Sequence, residues 1–307
     1  MSNTYKPTSE EISRVKGLGF LIDKTTECHF NARVLTVNGR IDAKKMMHIA
    51  AAAEKFGNGY VAMTTRQTIE IQHIPFENIQ PLIEFLGKED LEVGGTGPKV
   101  RPIVSCKGTT CRFGLIDTFS LSEKIHYTFY KGYHNVKLPH KFKIAVGGCP
   151  NNCVKPDLND LGIIGCRKPT IEKDKCRGCK TCAVEKACPI NAAYLEKERI
   201  MLDGCNGCAR CEGKCPFGAV STYETGYKIY IGGRWGKKTA CGKSLNTVFK
   251  TEDEVLRLVE SAILFFKEYG VDGERFADTI ARLGFEETES ILVSGNLISR
   301  KEEIISK

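Results

Sequence analysis

Apolar residues in the first hundred positions fall into short alternating runs and longer runs of helical period. This pattern predicts strand, helix, strand, strand and helix in that order, at residues 32–36, 43–56, 60–63, 69–73 and 76–86. Asp42 is placed to cap the first helix, and Gly57-Asn58-Gly59 is placed to end it. Residues 1–30 show little periodicity and are interpreted as a lead-in. The order of elements predicts a split α+β sandwich.

The rest of the chain continues the alternation around a stretch that is dense in cysteine. A loop is predicted at 94–98, and further strands are predicted at 100–105, 142–146 and 227–231. Two helices are predicted to close the chain, at 252–268 and 273–283. The stretch at 169–222 interrupts this pattern and contains the one internal repeat, a cysteine pattern present in two copies.

Fifteen cysteines in 307 residues require an explanation, and two are available. In a secreted protein they would form disulfides, whereas in a reducing compartment they would bind metal. The first eleven residues are polar and contain no secretory apolar core, and no apolar run approaches the roughly 18 residues of a membrane span. We therefore expect a cytoplasmic protein without a membrane span, whose cysteines are metal ligands.

The two cysteine repeats have the spacing of a bacterial ferredoxin that holds two [4Fe–4S] clusters. Three cysteines in each copy are separated by two residues, and each copy ends in Cys-Pro. In two-cluster ferredoxins the fourth cysteine of each copy ligates the other cluster. The expected ligand sets are Cys176, Cys179, Cys182 with Cys215, and Cys205, Cys208, Cys211 with Cys188. A zinc site also uses Cys-x2-Cys pairs, but in two pairs rather than in triplets followed by Cys-Pro.

Four further cysteines form two pairs, Cys106 with Cys111 and Cys149 with Cys153. The second pair lies in Gly147-Gly148-Cys149-Pro150-Asn151-Asn152-Cys153. This motif resembles the signature of the sirohaem-dependent nitrite and sulfite reductases. Within that family, residues 227–236 and 273–276 resemble the anaerobic sulfite reductases. The resemblance implies a third [4Fe–4S] cluster on these cysteines and a sirohaem, with Cys153 bridging the two. A structural zinc site built from two loops is the alternative.

The same resemblance implies roles for several basic and polar residues. Thr65, Arg66 and Gln67 match the segment that contacts the macrocycle. The residues implied to neutralise sulfite or deliver protons are Arg33, Arg101, Lys141 and Lys143. Sirohaem carries eight carboxylates and sulfite is an anion, so both need cations. Because alternate residues of a strand face the same side, Lys141 and Lys143 are expected to share one pocket.

The formal net charge of +8 is consistent with such cofactors. A [4Fe–4S]²⁺ core with four thiolates carries about −2, so three clusters would offset about −6. No basic block is interleaved with aromatic residues, so we expect no nucleic-acid partner. Cys28, Cys166 and Cys241 remain unassigned and are expected to be buried structural thiols.

The predicted fold is α+β, a sirohaem reductase half-repeat with an inserted ferredoxin domain that holds two [4Fe–4S] clusters. The domains are predicted at 1–100 (the ferredoxin-like half-domain), 101–168 and 223–307 (the two parts of the sirohaem domain) and 169–222 (the insert). The resemblance implies six-electron reduction of sulfite to sulfide with electrons from separate flavin and iron–sulfur subunits, since no G-x-G-x-x-G follows a strand. A homo- or hetero-oligomer is expected. Nitrite reduction and a non-catalytic polyferredoxin remain alternatives.

Overall fold

A computed structural model of the chain describes residues 5–26 and 28–307. Its α-helices, in chain order, are α1 (Ser9–Leu18), α2 (Ala43–Phe56), α3 (Ile79–Gly87), α4 (Thr118–Ile125), α5 (Ala183–Ala187), α6 (Glu252–Tyr269), α7 (Phe276–Leu283), α8 (Phe285–Ser294), α9 (Asn296–Ser299) and α10 (Lys301–Ser306). A π-helix over His126–Lys131 follows α4. No helix in the described ranges is long and apolar enough to cross a membrane.

The strands, in chain order, are β1 (Phe20–Ile22), β2 (His29–Val34), β3 (Val61–Met63), β4 (Ile69–Pro75), β5 (Val104–Ser105), β6 (Ile144–Gly147), β7 (Leu161–Ile171), β8 (Ala193–Glu196), β9 (Arg199–Leu202), β10 (Val220–Ile231) and β11 (Lys243–Phe249). The chain forms two compact units, residues 1–105 with 122–144 and 260–307, and residues 106–121 with 145–259. Each unit has its own arrangement of sheets and core.

The first unit contains an antiparallel sheet in the order β1-β2-β4-β3. Helices α2 and α3 pack on it and bury an apolar core that includes Phe20, Phe30, Ile49, Ile71 and Leu82. This is the α+β sandwich predicted from the sequence. The predicted helix at 43–56 is confirmed to the residue, because the Asp42 carboxylate accepts a hydrogen bond from Lys45 N at its first turn.

A second apolar group in the same unit surrounds Phe142. Its ring contacts Phe266 and Phe276 at centroid separations of 6.0 and 5.0 Å. Phe142 is fully buried, and its backbone pairs with the segment at 99–101 through two hydrogen bonds. The aromatic contacts therefore fix the backbone position of the residues on either side of it, Lys141 and Lys143.

In the second unit, β11, β10, β7 and β6 lie side by side in that order. Strands β7 and β10 are antiparallel and pair from Ile171 opposite Val220 to Leu161 opposite Ile231. Both cysteine repeats lie in the connection between these two strands, along with the short helix α5 and the β8–β9 hairpin. The long strand pair carries the cysteine-dense segment at its 171–220 end.

Several predicted elements were wrong. Residues 1–30 are not a simple lead-in, since α1, β1 and the start of β2 lie there, and a capping box of Thr8 and Glu11 begins α1. The strand predicted at 100–105 is reduced to β5, because Pro102 has no N–H to give to a ladder. The strand predicted at 227–231 begins at Val220, and α8 to α10 extend the chain beyond the two predicted closing helices.

Candidate functional site

The four cysteines of the third set come together in the second unit. Cys106 directly follows β5, Cys111 follows a single 3₁₀ turn, and Cys149 and Cys153 lie in the turn after β6. Gly148 N donates a hydrogen bond to Cys106 Sγ at 3.1 Å. Burial is the main cause that raises the pKa of Cys149, and the nearby thiols of Cys106, Cys153 and Cys111 raise it further. The two pairs, 38 or more positions apart in the sequence, thus share one site.

Glycines let the loops of this set approach each other. A methyl group added at Gly148 would lie 2.8 Å from Gly108 Cα, and one added at Gly165 of β7 would lie 2.6 Å from Gly148 O. Both are closer than side-chain carbons come, so neither glycine can be replaced without moving backbone. Thr118, the first residue of α4, donates from Oγ1 to Cys106 O at 2.7 Å and so holds the loop of Cys106 and Cys111 in place. Thr118 has no local signal in the sequence, because its partner is twelve residues away.

Asn152 shapes the turn between the second pair of cysteines. It has a left-handed backbone (φ 57°), which asparagine adopts more readily than most residues. Its Nδ2 donates to Asp157 Oδ1 at 2.8 Å, whereas its Oδ1 atom is buried and accepts no hydrogen bond. Cys153, at the end of the turn, is exposed. An exposed thiol at the edge of a four-cysteine site is available for a second ligand.

The cysteines predicted to form the second ferredoxin set line one small cavity. Its wall includes Cys188 from the first repeat with Cys205, Cys208 and Cys211 from the second. This is the combination predicted from the exchange of fourth cysteines between repeats. The other lining residues are mostly small or apolar, such as Ala192, Ala193 and Leu202. Four thiols around an apolar cavity have the donor chemistry of a cubane cluster.

The first ferredoxin set lies in the same small core. Cys176, Cys182 and Cys215 pack in an apolar group with Val184 and Ile200, whereas Cys179 is half-buried and lies outside it. Cys176 Sγ accepts a hydrogen bond from Ile200 N at 3.3 Å. Backbone N–H groups that point at sulfur are among the features that set the potential of iron–sulfur clusters.

Within the described residues, no three His, Cys, Asp or Glu side chains converge on a point suited to a single metal ion. A cubane does not require such convergence, because each of its sulfur ligands binds a different iron. The remaining cysteines differ from one another. Cys166 is buried as predicted, but Cys28 is half-buried and Cys241 is exposed, so the prediction of a buried thiol is wrong for both.

Most of the predicted basic residues lie around two neighbouring segments of the first unit. Arg101 N donates to Phe142 O at 2.8 Å, which puts Arg101 beside Lys141 and Lys143. Arg66 Nη2 donates to Pro102 O and, at 3.3 Å, to Ile144 O, so its guanidinium reaches both segments. The structure therefore brings together the guanidinium of Arg66 and the backbones of Arg101, Lys141 and Lys143, although the sequence places these residues up to 77 positions apart.

The side-chain amide of Gln67 makes hydrogen bonds to the backbone of Ser105. Its Nε2 donates to Ser105 O at 2.7 Å, and its Oε1 accepts from Ser105 N at 2.8 Å. Gln67 has a left-handed backbone (φ 57°). Thr65, two positions earlier, is exposed. The Gln67 amide therefore anchors Ser105, the residue immediately before Cys106, a positioning role that was not predicted.

Arg33 lies on another strand, close to the side chain of Arg101: Arg33 O accepts a hydrogen bond from Gly94 N at 2.9 Å, and Arg101 Nη1 donates to the O of the next residue, Gly95. Arg33 lies on β2 opposite Glu70 of β4, and its Nε is 3.5 Å from Glu70 Oε2. Five N–H donors are available on a guanidinium, so this ion pair leaves others for an anion. Whether a ligand reaches Arg33 stays a prediction, since its carboxylate partner competes for it.

Comparison with known families gives two matches along the chain. Residues 23–89 match the family model described as the nitrite/sulfite reductase ferredoxin-like half domain. Residues 96–294 match the model described as the nitrite and sulphite reductase 4Fe-4S domain. The second match includes the third cysteine set and both ferredoxin repeats.

Individual relatives include an uncharacterized protein and two sulfite reductases. An uncharacterized protein of Methanocaldococcus jannaschii is 34% identical over 84% of this chain and 88% of its own length. The coenzyme F420-dependent sulfite reductase of the same organism is 30% identical over 79% of this chain, which spans 38% of that protein. An anaerobic sulfite reductase subunit of Salmonella typhimurium is 31% identical over 70% of this chain and 68% of its own.

Nitrite reductases are also among the relatives, either at lower identity or, as for that of Emericella nidulans (32% identical over 42% of this chain), over a smaller share of the chain. The NAD(P)H nitrite reductase of Bacillus subtilis is 24% identical over 83% of this chain and 24% of its own length. Among solved structures, dissimilatory sulfite reductase I superposes with a TM-score of 0.69 at 21% identity, over 86% of this chain and 69% of that one. This likeness confirms the predicted α+β fold.

Proposed function

Since the chain belongs to the nitrite and sulphite reductase family, we propose that it is the catalytic subunit of a sirohaem sulfite reductase. The observation that carries the proposal is the meeting of Cys106, Cys111, Cys149 and Cys153 on loops held close by glycine. Sulfite is favoured over nitrite because two sulfite reductases among the relatives are 30–31% identical over 70–79% of this chain. The nitrite reductases are 24% identical over 83% of the chain or 32% identical over only 42% of it.

The proposed cofactors are sirohaem and three [4Fe–4S] clusters. Cys106, Cys111, Cys149 and Cys153 would hold one cluster, and Cys153 would also ligate the sirohaem iron. The insert at 169–222 would hold the other two, one of them on Cys188, Cys205, Cys208 and Cys211, which line the cavity. Bound, the sirohaem would supply an iron that takes the sulfur of sulfite and delivers six electrons to it.

The protein's own contribution is charge, position and protons. Arg66 and Gln67 stabilise the backbone on which the first cysteine pair begins, and they would contact the macrocycle together with Thr65. Arg101, Lys141 and Lys143 would neutralise the sulfite oxygens, with Arg33 as a further cation. As each S–O bond breaks, the departing oxygen needs protons, and the two lysines are the nearest acids proposed.

Electrons must come from a partner, and we propose separate flavin and iron–sulfur subunits that dock near the insert. We place the complex in the cytoplasm, where thiols stay reduced and available as ligands. A second copy of the chain or a related subunit would supply the second half-repeat in an oligomer.

The test is a visible spectrum of anaerobically purified protein, with iron, acid-labile sulfide and sirohaem counts, followed by turnover with a reduced viologen dye. The proposal expects sirohaem bands, about thirteen irons per chain (twelve in the clusters and one in the sirohaem) and faster turnover of sulfite than of nitrite. Faster turnover of nitrite would assign the protein to nitrite reduction. Three clusters without sirohaem would leave a polyferredoxin electron carrier.

A further inference from the structure

A ring in the first loop of the third cysteine set contacts a cation in the second ferredoxin loop. The Arg210 guanidinium lies 4.2 Å from the centroid of the Phe113 ring, and that of Arg112 lies 4.6 Å from it. Phe113 is two positions after Cys111, and Arg210 is immediately before Cys211. All of these residues belong to the second unit. A cation over an aromatic face is attractive, so this contact ties the two loops together.

Strand β7 also contacts loops of both the third cysteine set and the second ferredoxin repeat. Gly165 packs against Gly148 O beside the third cysteine set. Two positions along the same strand, Arg167 N donates to Gly207 O at 2.8 Å and pairs with Cys208 in a parallel bridge. The guanidinium of Arg167 also bonds Glu212 at 2.9 Å. One strand thus positions the loop of the second repeat next to the loops of the third set.

The loop of the first ferredoxin repeat is held elsewhere. The Arg199 guanidinium donates to Cys176 O at 2.7 Å and to Lys173 O at 2.9 Å. A methyl group at Gly178 would lie 2.7 Å from Glu198 Cβ. Both Arg199 and Glu198 belong to the β8–β9 hairpin or its turn. The first repeat therefore packs on the hairpin, and the second repeat packs on β7.

We propose that Phe113 and Arg210 are positioning residues that hold the Cys205–Cys211 loop against the Cys106–Cys111 loop. This inference rests on the proposed function, since it presumes clusters on both loops. The contact makes the cluster of Cys188, Cys205, Cys208 and Cys211 the immediate donor to the third cluster. One electron leaves the former and one arrives at the latter, with no bond made or broken. The reductant that starts the sequence is an external low-potential one-electron donor.

The experiment measures internal electron transfer rather than turnover. A photoexcited soluble donor such as deazaflavin reduces the protein in a flash, and the first-order phase that is independent of protein concentration is followed by absorbance at the sirohaem bands. Loss of a cation–π contact at an exposed site lowers the ratio of molecules with the two loops in contact to molecules with the loops apart about two- to fivefold. Arg210→Ala and Phe113→Ala should slow this phase by that factor, whereas Arg210→Lys and Phe113→Tyr should restore it.

Arg177→Ala is the matched control, because it removes an exposed arginine from the corresponding loop of the first repeat. Its rate should equal that of the unmodified protein. Iron, sulfide and sirohaem counts come first for every protein. A wild-type protein without these cofactors overturns the proposed function itself. The other outcomes apply when all proteins hold their full complement of iron, sulfide and sirohaem. Unchanged rates in Phe113→Ala and Arg210→Ala, or equal slowing in Arg177→Ala, then overturn only the positioning role. If Phe113→Ala loses iron, the electron-transfer rates of Arg210→Ala and Arg210→Lys test the positioning role instead.

Discussion

Lys143 is half-buried directly after the fully buried Phe142, so its backbone is held in place while its side chain is accessible. As a proposed proton donor and counter-ion for sulfite, it should matter for chemistry and not for assembly. Lys143→Ala should lower sulfite turnover about 100-fold, the lower end of the range for general acid catalysis, with iron and sirohaem content unchanged. Steady-state turnover with a viologen donor measures the effect.

Lys137→Ala is the control for this substitution, since Lys137 lies six residues earlier in the same unit with its side chain about three-quarters exposed. Its turnover should match that of the unmodified protein. Equal turnover in Lys143→Ala and the parent would remove Lys143 from the proposed site.

Gln67 makes two hydrogen bonds to the backbone of the buried Ser105. Gln67→Leu leaves a buried N–H and a buried carbonyl without these partners, which costs about 1–3 kcal/mol for each group. The variant should therefore unfold at a lower denaturant concentration and should retain less sirohaem, because Ser105 leads into Cys106. Denaturant titration and the sirohaem absorbance measure both effects.

Gln80→Leu provides the comparison, because Gln80 is an exposed amide on α3 whose hydrogen bond to Glu84 lies at the surface. It should change neither stability nor cofactor content appreciably. Parallel losses in the two variants would mean that the amide at position 67 has no special role.

At the level of elements, the β8–β9 hairpin supports the loop of the first cysteine repeat through Arg199. Hydrogen bonds from a charged donor are worth about 1.5–3 kcal/mol. Arg199→Ala should therefore loosen the loop of Cys176, Cys179 and Cys182, and the protein should lose about one third of its labile sulfide faster than the parent on exposure to air. Sulfide assays over time measure the rate.

Arg177→Ala is again the matched control, since it removes a cation from this loop and leaves the Arg199 bonds intact. Identical kinetics of sulfide loss in Arg199→Ala and Arg177→Ala would show that the hairpin does not support the cluster loop.

Elements whose ends are set by nearby residues were predictable from sequence, and those set by distant partners were not. Helix α2 is bounded by Asp42 and Gly57, both adjacent to it, and its prediction is exact. Strand β10 begins seven residues before its predicted start, because pairing with β7 extends it. Helix α1 was missed even though Thr8 and Glu11 form a capping box, a signal that the sequence does contain.

The same distinction holds for the candidate site. The spacing of the cysteines indicates a cubane ligand set, because three ligands of each repeat lie within one short loop. The contact of Phe113 with Arg210 joins residues 97 positions apart and has no local pattern. The two bonds of Gln67 to Ser105 likewise depend on how the chain folds back.

For the whole molecule, the core of the first unit and the core of the insert differ in the size of their side chains. The core of the first unit contains large side chains, among them Phe20, Phe30, Ile49 and Leu82. The core of the insert at 169–222 contains Val184, Ala193, Ile200, Ala219 and Val220, and cysteines make up much of the remainder. A core this small supplies little hydrophobic free energy by itself, so the insert should depend on the metal for its stability.

Removal of iron should therefore unfold the insert and leave the first core folded, because ligands that bind only the folded form stabilise it. Hydrogen–deuterium exchange of the intact chain, before and after anaerobic treatment with a ferrous chelator, tests this. Peptides within 172–219 should lose protection in the apoprotein, whereas peptides from α2 and β4 should keep theirs. Retained protection across 172–219 would show that the insert is stabilised by its own packing, and uniform loss across the chain would show that the clusters stabilise both cores together.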